Sequence, residues 1–95
     1  MPETVVRDDR SGRFELSLPD GTAELWFRRH GDRLILVHTE VPDELSGRGV
    51  GGKLVQAAVD HAVADGLTIV PLCPFAGNWL RRHPEAAGAT RIDWS

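Results

Sequence analysis

The chain has no tyrosine, one cysteine and one lysine, and these shortages limit what it can be. A single cysteine, Cys73, cannot form an internal disulfide or a cysteine zinc cage, which predicts a reducing, cytoplasmic setting. The longest stretch without a charged residue lies near residues 67–80, is interrupted by prolines and is too short to cross a bilayer. The sequence therefore predicts neither a membrane span nor a signal segment.

The charge balance excludes another class of protein. Ten arginines and Lys53 stand against fourteen acidic residues, and the formal net charge is −3. This balance argues against a nucleic-acid binder that relies on a broad positive surface. With 95 residues, 41% of them hydrophobic, the chain has room for one core, so we expect a single domain over residues 1–95 with one compact site.

The first half of the sequence has the period-two alternation of half-buried strands. Phe14 and Leu16, for example, alternate with polar residues, and turn residues occupy 19–22 and 31–32. An antiparallel meander is predicted, preceded in residues 1–12 by a weak strand or a loose lead-in. Its strands cover residues 13–18, 23–30 and 33–41.

The second half changes to a helical period. Apolar residues at every fourth position predict an amphipathic helix from residue 50 to a C-cap at Gly66. Residues 67–72 are typical of a short strand buried on both faces, so strand, helix and strand predict a right-handed parallel crossover. Residues 75–83 predict a second helix, which Pro84 ends. The predicted fold class is α+β: an antiparallel β-meander followed by a parallel β-α-β crossover and a second short helix, with four strands and two helices.

Four of the ten glycines lie in the segment GRGVGG at residues 47–52, which matches two phosphate-binding patterns in part. A P-loop requires Ser or Thr where Leu54 stands, and a dinucleotide fold requires a second half for which the chain is too short. The segment keeps the anion-binding features that the two patterns share, because glycines allow an anion to approach closely and helix N-terminal amides attract negative charge. The alternative is a flexible loop before an ordinary helix start.

Four ordered blocks give the sequence a family resemblance: HTEVP at 38–42, GRGVGGKLV at 47–55, VPLCPF at 70–75 and RRHPE at 81–85. They are similar to the short YjdJ-type members of the GCN5-related N-acetyltransferases (GNAT). The family signature, Q/R-x-x-G-x-G/A, is matched by Gly49 and Gly51, whereas Ser46 stands at the Gln/Arg position. The resemblance runs from residue 13 to residue 85 and implies a minimal GNAT-like fold.

The resemblance implies a coenzyme A site in a V-shaped opening between the third and fourth predicted strands. The pantetheine arm would pair with Val41 like a strand, and the pyrophosphate would bind the amides of residues 48–52. Arg81 and Arg82 are candidates for the 3′-phosphate, with a solvated helix face as the alternative. The predicted cofactor-binding residues are Val41, Gly47, Arg48, Gly49, Val50, Gly51, Gly52, Lys53, Arg81 and Arg82.

Acetyl transfer to an amine needs a base, a stabilised oxyanion and an acid for the leaving thiolate. The tyrosine that many larger family members offer to the thiolate is absent, which leaves Cys73, His38 and Glu40 as catalytic candidates. Each has an alternative: Cys73 as a small buried hydrophobe, Glu40 as a solvated edge charge, and His38 as a core or interface histidine on the strand face of Leu36. The spacing of the histidines predicts no metal site.

We therefore expect an acetyl-coenzyme A-dependent N-acetyltransferase that acts on an amine of a small molecule or a protein, by direct attack or through an acetyl-Cys73 intermediate. One alternative is a non-catalytic module that binds coenzyme A or a nucleotide phosphate. Another is an interaction domain that uses an exposed Trp79 or Trp94. We expect no nucleic-acid partner, no membrane partner, and a monomer or a weak homodimer.

Overall fold

The computed structural model describes residues 4–94, which form a six-stranded sheet and three helices. The strands are β1 (Val6–Asp8), β2 (Arg13–Leu18), β3 (Gly21–His30), β4 (Arg33–Glu40), β5 (Thr68–Pro71) and β6 (Arg91–Ile92). The helices are α1 (Val50–Asp65), α2 (Pro74–Arg82) and α3 (Pro84–Gly88), and a 3₁₀ turn covers Asp43–Leu45.

The strands lie in the sheet in the order in which they occur in the chain. Neighbouring strands from β1 to β4 are antiparallel, whereas β4 pairs with β5 and β5 with β6 in parallel. Helix α1 connects the parallel strands β4 and β5, as the predicted crossover requires. An antiparallel meander, a parallel β-α-β unit and a second short helix confirm the predicted α+β class.

The structure corrects the number and length of the predicted elements. The count of four strands and two helices is wrong, because β1, β6 and α3 are also present. Strands of two or three residues, such as β6, carry too little alternation to stand out in a sequence. The third predicted strand ends at Glu40 rather than Val41, since the next residue, Pro42, has no N–H to continue the ladder.

The core forms where the meander packs against α1. Alternate residues of β2, β3 and β4 are buried there, and so is the predicted apolar stripe of α1. Gly66 caps that helix in the left-handed conformation, with a φ of 67°. Ile69 and Val70 are both buried, which confirms that β5 is covered on both faces. Within residues 4–94, no helix is long and apolar enough to cross a membrane.

The register of β3 and β4 shifts at a β-bulge. Phe27 is opposite Leu36, while the neighbouring Trp26 is opposite His38, so Val37 is the additional residue on β4. Burial alternates as far as Leu36 and then stops alternating, because Val37 and His38 are both exposed. The prediction that His38 shares the face of Leu36 is therefore wrong.

Candidate active site

A cleft of about 920 Å³ opens where β4 and β5 part. The two strands pair only as far as Leu36 and Pro71, after which β4 continues alone and the chain turns from β5 into α2. The amides of Leu72 and Cys73 both donate to the Leu36 carbonyl oxygen, at 3.0 Å each, and hold this point of divergence. The volume suits a ligand of cofactor size.

The glycine segment that leads into α1 closes one end of the cleft. Gly47 and Gly49 have φ angles of 81° and 72°, in the left-handed region that favours glycine. Gly49 is the N-cap of α1, and no side chain caps the helix. The amides of residues 50–52 have no acceptor within the helix, and the first turn carries no acidic side chain. This end of the cleft is therefore electropositive and suited to an anion.

Gly51 and Gly52 are glycines for a different reason. A Cβ at Gly51 would lie 2.6 Å from Cζ of Phe75, and a Cβ at Gly52 would lie 2.5 Å from Nε1 of Trp79. The absence of side chains lets the two aromatic rings of α2 pack onto the backbone of α1. Since both rings line the cleft, these glycines shape its wall.

Helix α2 supplies an aromatic wall to which the sequence analysis assigned no role in the site. Phe75, Trp79 and His83 follow one another at intervals of one helical turn, and all three line the cleft. The His83 ring stacks on the Trp79 ring with 4.0 Å between centroids, and its Nδ1 donates to the Trp79 carbonyl oxygen at 2.8 Å. Their regular spacing, from the VPLCPF block to the RRHPE block, is the signal that identifies them.

The two cationic residues predicted at the glycine segment lie in different places. Lys53 lines the cleft, and so does Gln56 one turn further along α1. The Arg48 guanidinium instead forms an ion pair with Asp20, with 3.2 Å between Nη2 and Oδ2. Arg48 does not line the cleft. The predicted cofactor-binding residues that do line it are Val41, Gly47, Gly49, Val50, Gly51, Gly52 and Lys53.

Arg81 and Arg82 lie near the end of α2, outside the lining of the cleft. Both are exposed, and the Arg81 guanidinium stacks on the Trp94 ring at 4.6 Å from its centroid. Their assignment to the 3′-phosphate stays a prediction. Trp94 is exposed and Trp79 is partly exposed, so the interaction-domain hypothesis stays a prediction.

Cys73 is the N-cap residue of α2, at the point where β4 and β5 part. It is buried, with a relative exposure of 5%, and its Sγ lies 3.1 Å from the Thr39 hydroxyl oxygen. Thr39 lines the cleft, whereas Cys73 is not among the described residues that do. The buried thiol therefore contacts a residue of the HTEVP block that lines the cleft.

His38 and Glu40 lie on the opposite face of β4 from Thr39, because successive strand residues point to opposite faces. His38 Nε2 and Glu40 Oε2 are 2.7 Å apart, and their side chains are 50% and 63% exposed. The His38 ring meets the Trp26 ring edge-on, with 5.5 Å between centroids. The sheet therefore separates this pair from Cys73, and the three catalytic candidates do not form one cluster.

A sequence model described as GCN5-related N-acetyl-transferase matches residues 13–89 of the chain. The chain belongs to this family. Among its relatives, Protein NATD1 of Homo sapiens is 33% identical over 86 residues, which are 87% of this chain and 76% of that protein. Protein NATD1 of Mus musculus is 35% identical over 86 residues, with 87% and 78% covered.

A solved structure supports the same assignment. The NMR solution structure of a GCN5-like N-acetyltransferase candidate from Staphylococcus aureus superposes with a TM-score of 0.73 at 28% identity, and the match covers 95% of this chain and 89% of that chain. The minimal GNAT-like fold implied by the four sequence blocks is confirmed. As a GCN5-related N-acetyltransferase, the chain belongs to the acyltransferase class of enzymes.

This GCN5-related N-acetyltransferase also has a cluster of titratable side chains in the C-terminal half of α1, away from the cleft. His61 is buried there, and its ring nitrogens contact the Arg7 guanidinium of β1. Burial, and then the positive charge of Arg7, hold the pKa of His61 below its ordinary value of 6.5. Within residues 4–94, no group of three or more His, Cys, Asp or Glu side chains is placed to hold a metal ion.

Proposed function

We propose that this chain transfers the acetyl group of acetyl-coenzyme A to an amine. The arrangement of the cleft carries the proposal. One end is an electropositive helix terminus, the other is the Thr39 and Cys73 pair, and an aromatic wall runs between them. Coenzyme A carries a pyrophosphate and, at the far end of its pantetheine arm, the reactive sulfur, so one molecule suits both ends.

The pyrophosphate is assigned to the first turn of α1. An anion at this position accepts hydrogen bonds from the amides of residues 50–52, which no side chain caps. Lys53 lines the same region and adds a positive charge. Ser46, which stands where the family signature has Gln or Arg, also lines the cleft, and its hydroxyl is the candidate to replace part of that polar contact.

The pantetheine arm is assigned to the edge of β4 that faces the cleft. Strand β5 pairs with β4 no further than Leu36, so in the described chain the continuation of β4 has no strand partner on that side. The amides of an extended arm can pair with such an edge as an added strand does. Val41 lines the cleft directly beyond β4, which agrees with its predicted role.

The chemistry is divided between the two faces of β4. On the exposed outer face, the His38 and Glu40 pair is the candidate for attracting a cationic amine and for taking its proton. On the inner face, Cys73 is the candidate acid for the leaving thiolate or, in the covalent route, the nucleophile. An exposed outer face suits the amine of either a small molecule or a protein.

Calorimetric titration with coenzyme A at low and at moderate salt tests the binding part of the proposal. We expect binding that weakens with salt, because part of the affinity comes from anion contacts that salt screens. No binding at either salt concentration would overturn the proposal.

A parallel titration with 3′-dephospho-coenzyme A tests the assignment of Arg81 and Arg82 to the 3′-phosphate. Equal affinity for the two compounds would remove both residues from the site.

Release of free coenzyme A from acetyl-coenzyme A in the presence of a panel of amines tests the catalytic part. We expect release that depends on the amine. Binding without release for any amine favours the second candidate function, a non-catalytic coenzyme A-binding module. The observation that favours this second candidate is the burial of Cys73, which does not line the cleft.

A further inference from the structure

The Thr39 side chain connects the buried Cys73 thiol with the cleft. Its hydroxyl oxygen is 3.1 Å from Sγ. Thr39 lines the cleft while Cys73 does not, and Cys73 is 5% exposed. A group bound in the cleft therefore meets the hydroxyl before it meets the thiol.

The β-bulge accounts for the position of Thr39. Thr39 is opposite Leu25, a fully buried residue on the core face of β3. If side chains alternated without a break from Leu36 onward, Thr39 would point to the outer face, as the sequence pattern predicts for every odd-numbered residue of this strand. The additional residue, Val37, changes that parity and brings the hydroxyl to the inner side.

Two hydrogen bonds fix the backbone of Cys73. The Cys73 amide donates to the Leu36 carbonyl oxygen at 3.0 Å, and the Cys73 carbonyl accepts from the Gly77 amide at 3.1 Å in the first turn of α2. The contact between the Thr39 hydroxyl and the Cys73 thiol allows either atom to donate. A thiol is a much stronger acid than an aliphatic hydroxyl, so in a relay through this pair Cys73 is the proton source and Thr39 is the conduit.

We propose that Thr39 and Cys73 form a two-step proton relay to the leaving thiolate. This inference rests on the proposed acetyl transfer. The neutral amine attacks the thioester carbonyl carbon, a C–N bond forms, and the C–S bond breaks with its electron pair going to sulfur. The Thr39 hydroxyl gives its proton to that sulfur and takes the proton of the Cys73 thiol. The amine proton passes to a base or to water, and Cys73 regains a proton from solvent.

The relay decides between the two routes that the sequence leaves open. An acetyl-Cys73 intermediate requires the thiol to reach the thioester, but Cys73 is buried, and of this pair it is Thr39 that lines the cleft. The relay instead leaves Cys73 unacetylated and uses the direct attack of the amine. It also gives this chain, which has no tyrosine, a proton donor for the thiolate.

Variants of Thr39 distinguish the role of its hydroxyl from the role of its side-chain volume. Thr39→Val keeps the shape and removes the hydroxyl, so we expect the rate constant for coenzyme A release to fall by about 100-fold, the scale of lost acid catalysis, with unchanged coenzyme A affinity. Thr39→Ser should restore most of the rate. Cys73→Ala should cost about as much as Thr39→Val, and the double variant no more than either alone, because both remove one relay.

Thr22→Val, which alters an exposed threonine of β3, is the matched control and should leave the rate unchanged. A Thr39→Val rate within threefold of the unmodified protein overturns the relay even where coenzyme A binds and transfer occurs. Absence of coenzyme A binding is a different result and contradicts the proposed function instead.

Alkylation of Cys73 by iodoacetamide tests the same geometry without any turnover. We expect slow alkylation of Cys73 in the unmodified protein and in Thr39→Val, where the thiol stays buried. In Thr39→Ala we expect alkylation at least tenfold faster, and bound coenzyme A should protect the thiol of this variant. Rapid alkylation of the unmodified protein, or an acetylated Cys73 in intact-mass spectra after incubation with acetyl-coenzyme A, overturns the inference.

Discussion

The glycines between residues 47 and 52 serve two separate purposes. Gly47 and Gly49 adopt left-handed backbone conformations, and a Cβ on either would meet nothing within 4 Å. Gly51 and Gly52 have ordinary helical backbones, but a Cβ on either would collide with an aromatic ring of α2. The first pair therefore determines the path of the loop, and the second pair determines how closely two helices approach.

Substituting Gly51 by alanine tests this distinction at the residue scale. The added Cβ would lie 2.6 Å from the Phe75 ring, so the ring must shift into the cleft. We expect the free energy of unfolding, measured by urea titration, to fall by about 1–3 kcal/mol, together with weaker coenzyme A binding.

The matched control is Gly88→Ala in α3, where a Cβ would meet nothing within 4 Å and the φ angle is not positive. We expect this variant to be unchanged or slightly more stable, because alanine restricts the unfolded chain. Equal losses of stability in the two variants would contradict the role given to Phe75.

At the element scale, strand β4 determines the geometry of the site. It pairs with β5 as far as Leu36, carries the bulge at Val37 and then presents its two faces to different surroundings. Thr39 points to the cleft, while His38 and Glu40 point to the exposed face. A bulge bends a strand and increases its twist, so it opens the gap beside β5.

Deletion of Val37 tests the role of the bulge. With this residue absent, Leu36 and His38 are neighbours and keep their partners on β3, so the two faces of β4 remain as they are. The strand loses its bend, and we expect the gap beside β5 to narrow. The expected result is a folded protein, by circular dichroism and thermal unfolding, whose coenzyme A affinity is at least tenfold lower. Full affinity in the deletion variant would show that the bulge does not open the cleft.

At the scale of the whole molecule, α1 joins two charged regions at its opposite ends. Its first turn lies at the cleft, and its C-terminal half lies at a cluster formed with β1 and β3. In that cluster Arg29 pairs with Asp65 at 3.3 Å, and His61 contacts Arg7. The cluster holds the N-terminal edge of the sheet against the helix, so its charge state affects the stability of the entire fold.

His61 should make that stability depend on pH. Its pKa is lowered by burial and then by Arg7, so between the lowered value and 6.5 the unfolded chain binds more protons than the folded protein. Stability is therefore fully present above about pH 6.5 and decreases as the pH falls below it. The pKa of Asp8, lowered from 3.8 chiefly by the Ser11 hydroxyl, affects stability only at much lower pH.

Urea unfolding between about pH 7.5 and pH 5.5 measures this effect, with His61→Gln as the variant that cannot titrate. We expect the midpoint of the unmodified protein to fall on acidification and that of His61→Gln to change less. Parallel pH dependences for the two proteins would exclude His61 as the cause.

The fold was largely predictable because its determinants are local. The alternation in β2 to β4 and the four-residue period of α1 each depend on neighbours in the sequence, and the glycine segment identified the helix end that faces the cleft. The site was predictable only in part. Val41 and Lys53 line the cleft as predicted, but the sequence pattern gave no role to Thr39, Phe75 or His83.

By itself, the sequence determined the α+β class, the family and the glycine segment that leads into α1, because each follows from residues close together in the chain. Tertiary structure alone decided which residues meet. The bulge turns Thr39 toward Cys73, and Asp20 draws the Arg48 guanidinium away from the cleft. The rings of α2 explain why Gly51 has no side chain. These contacts join residues distant in sequence, so only packing could bring them together.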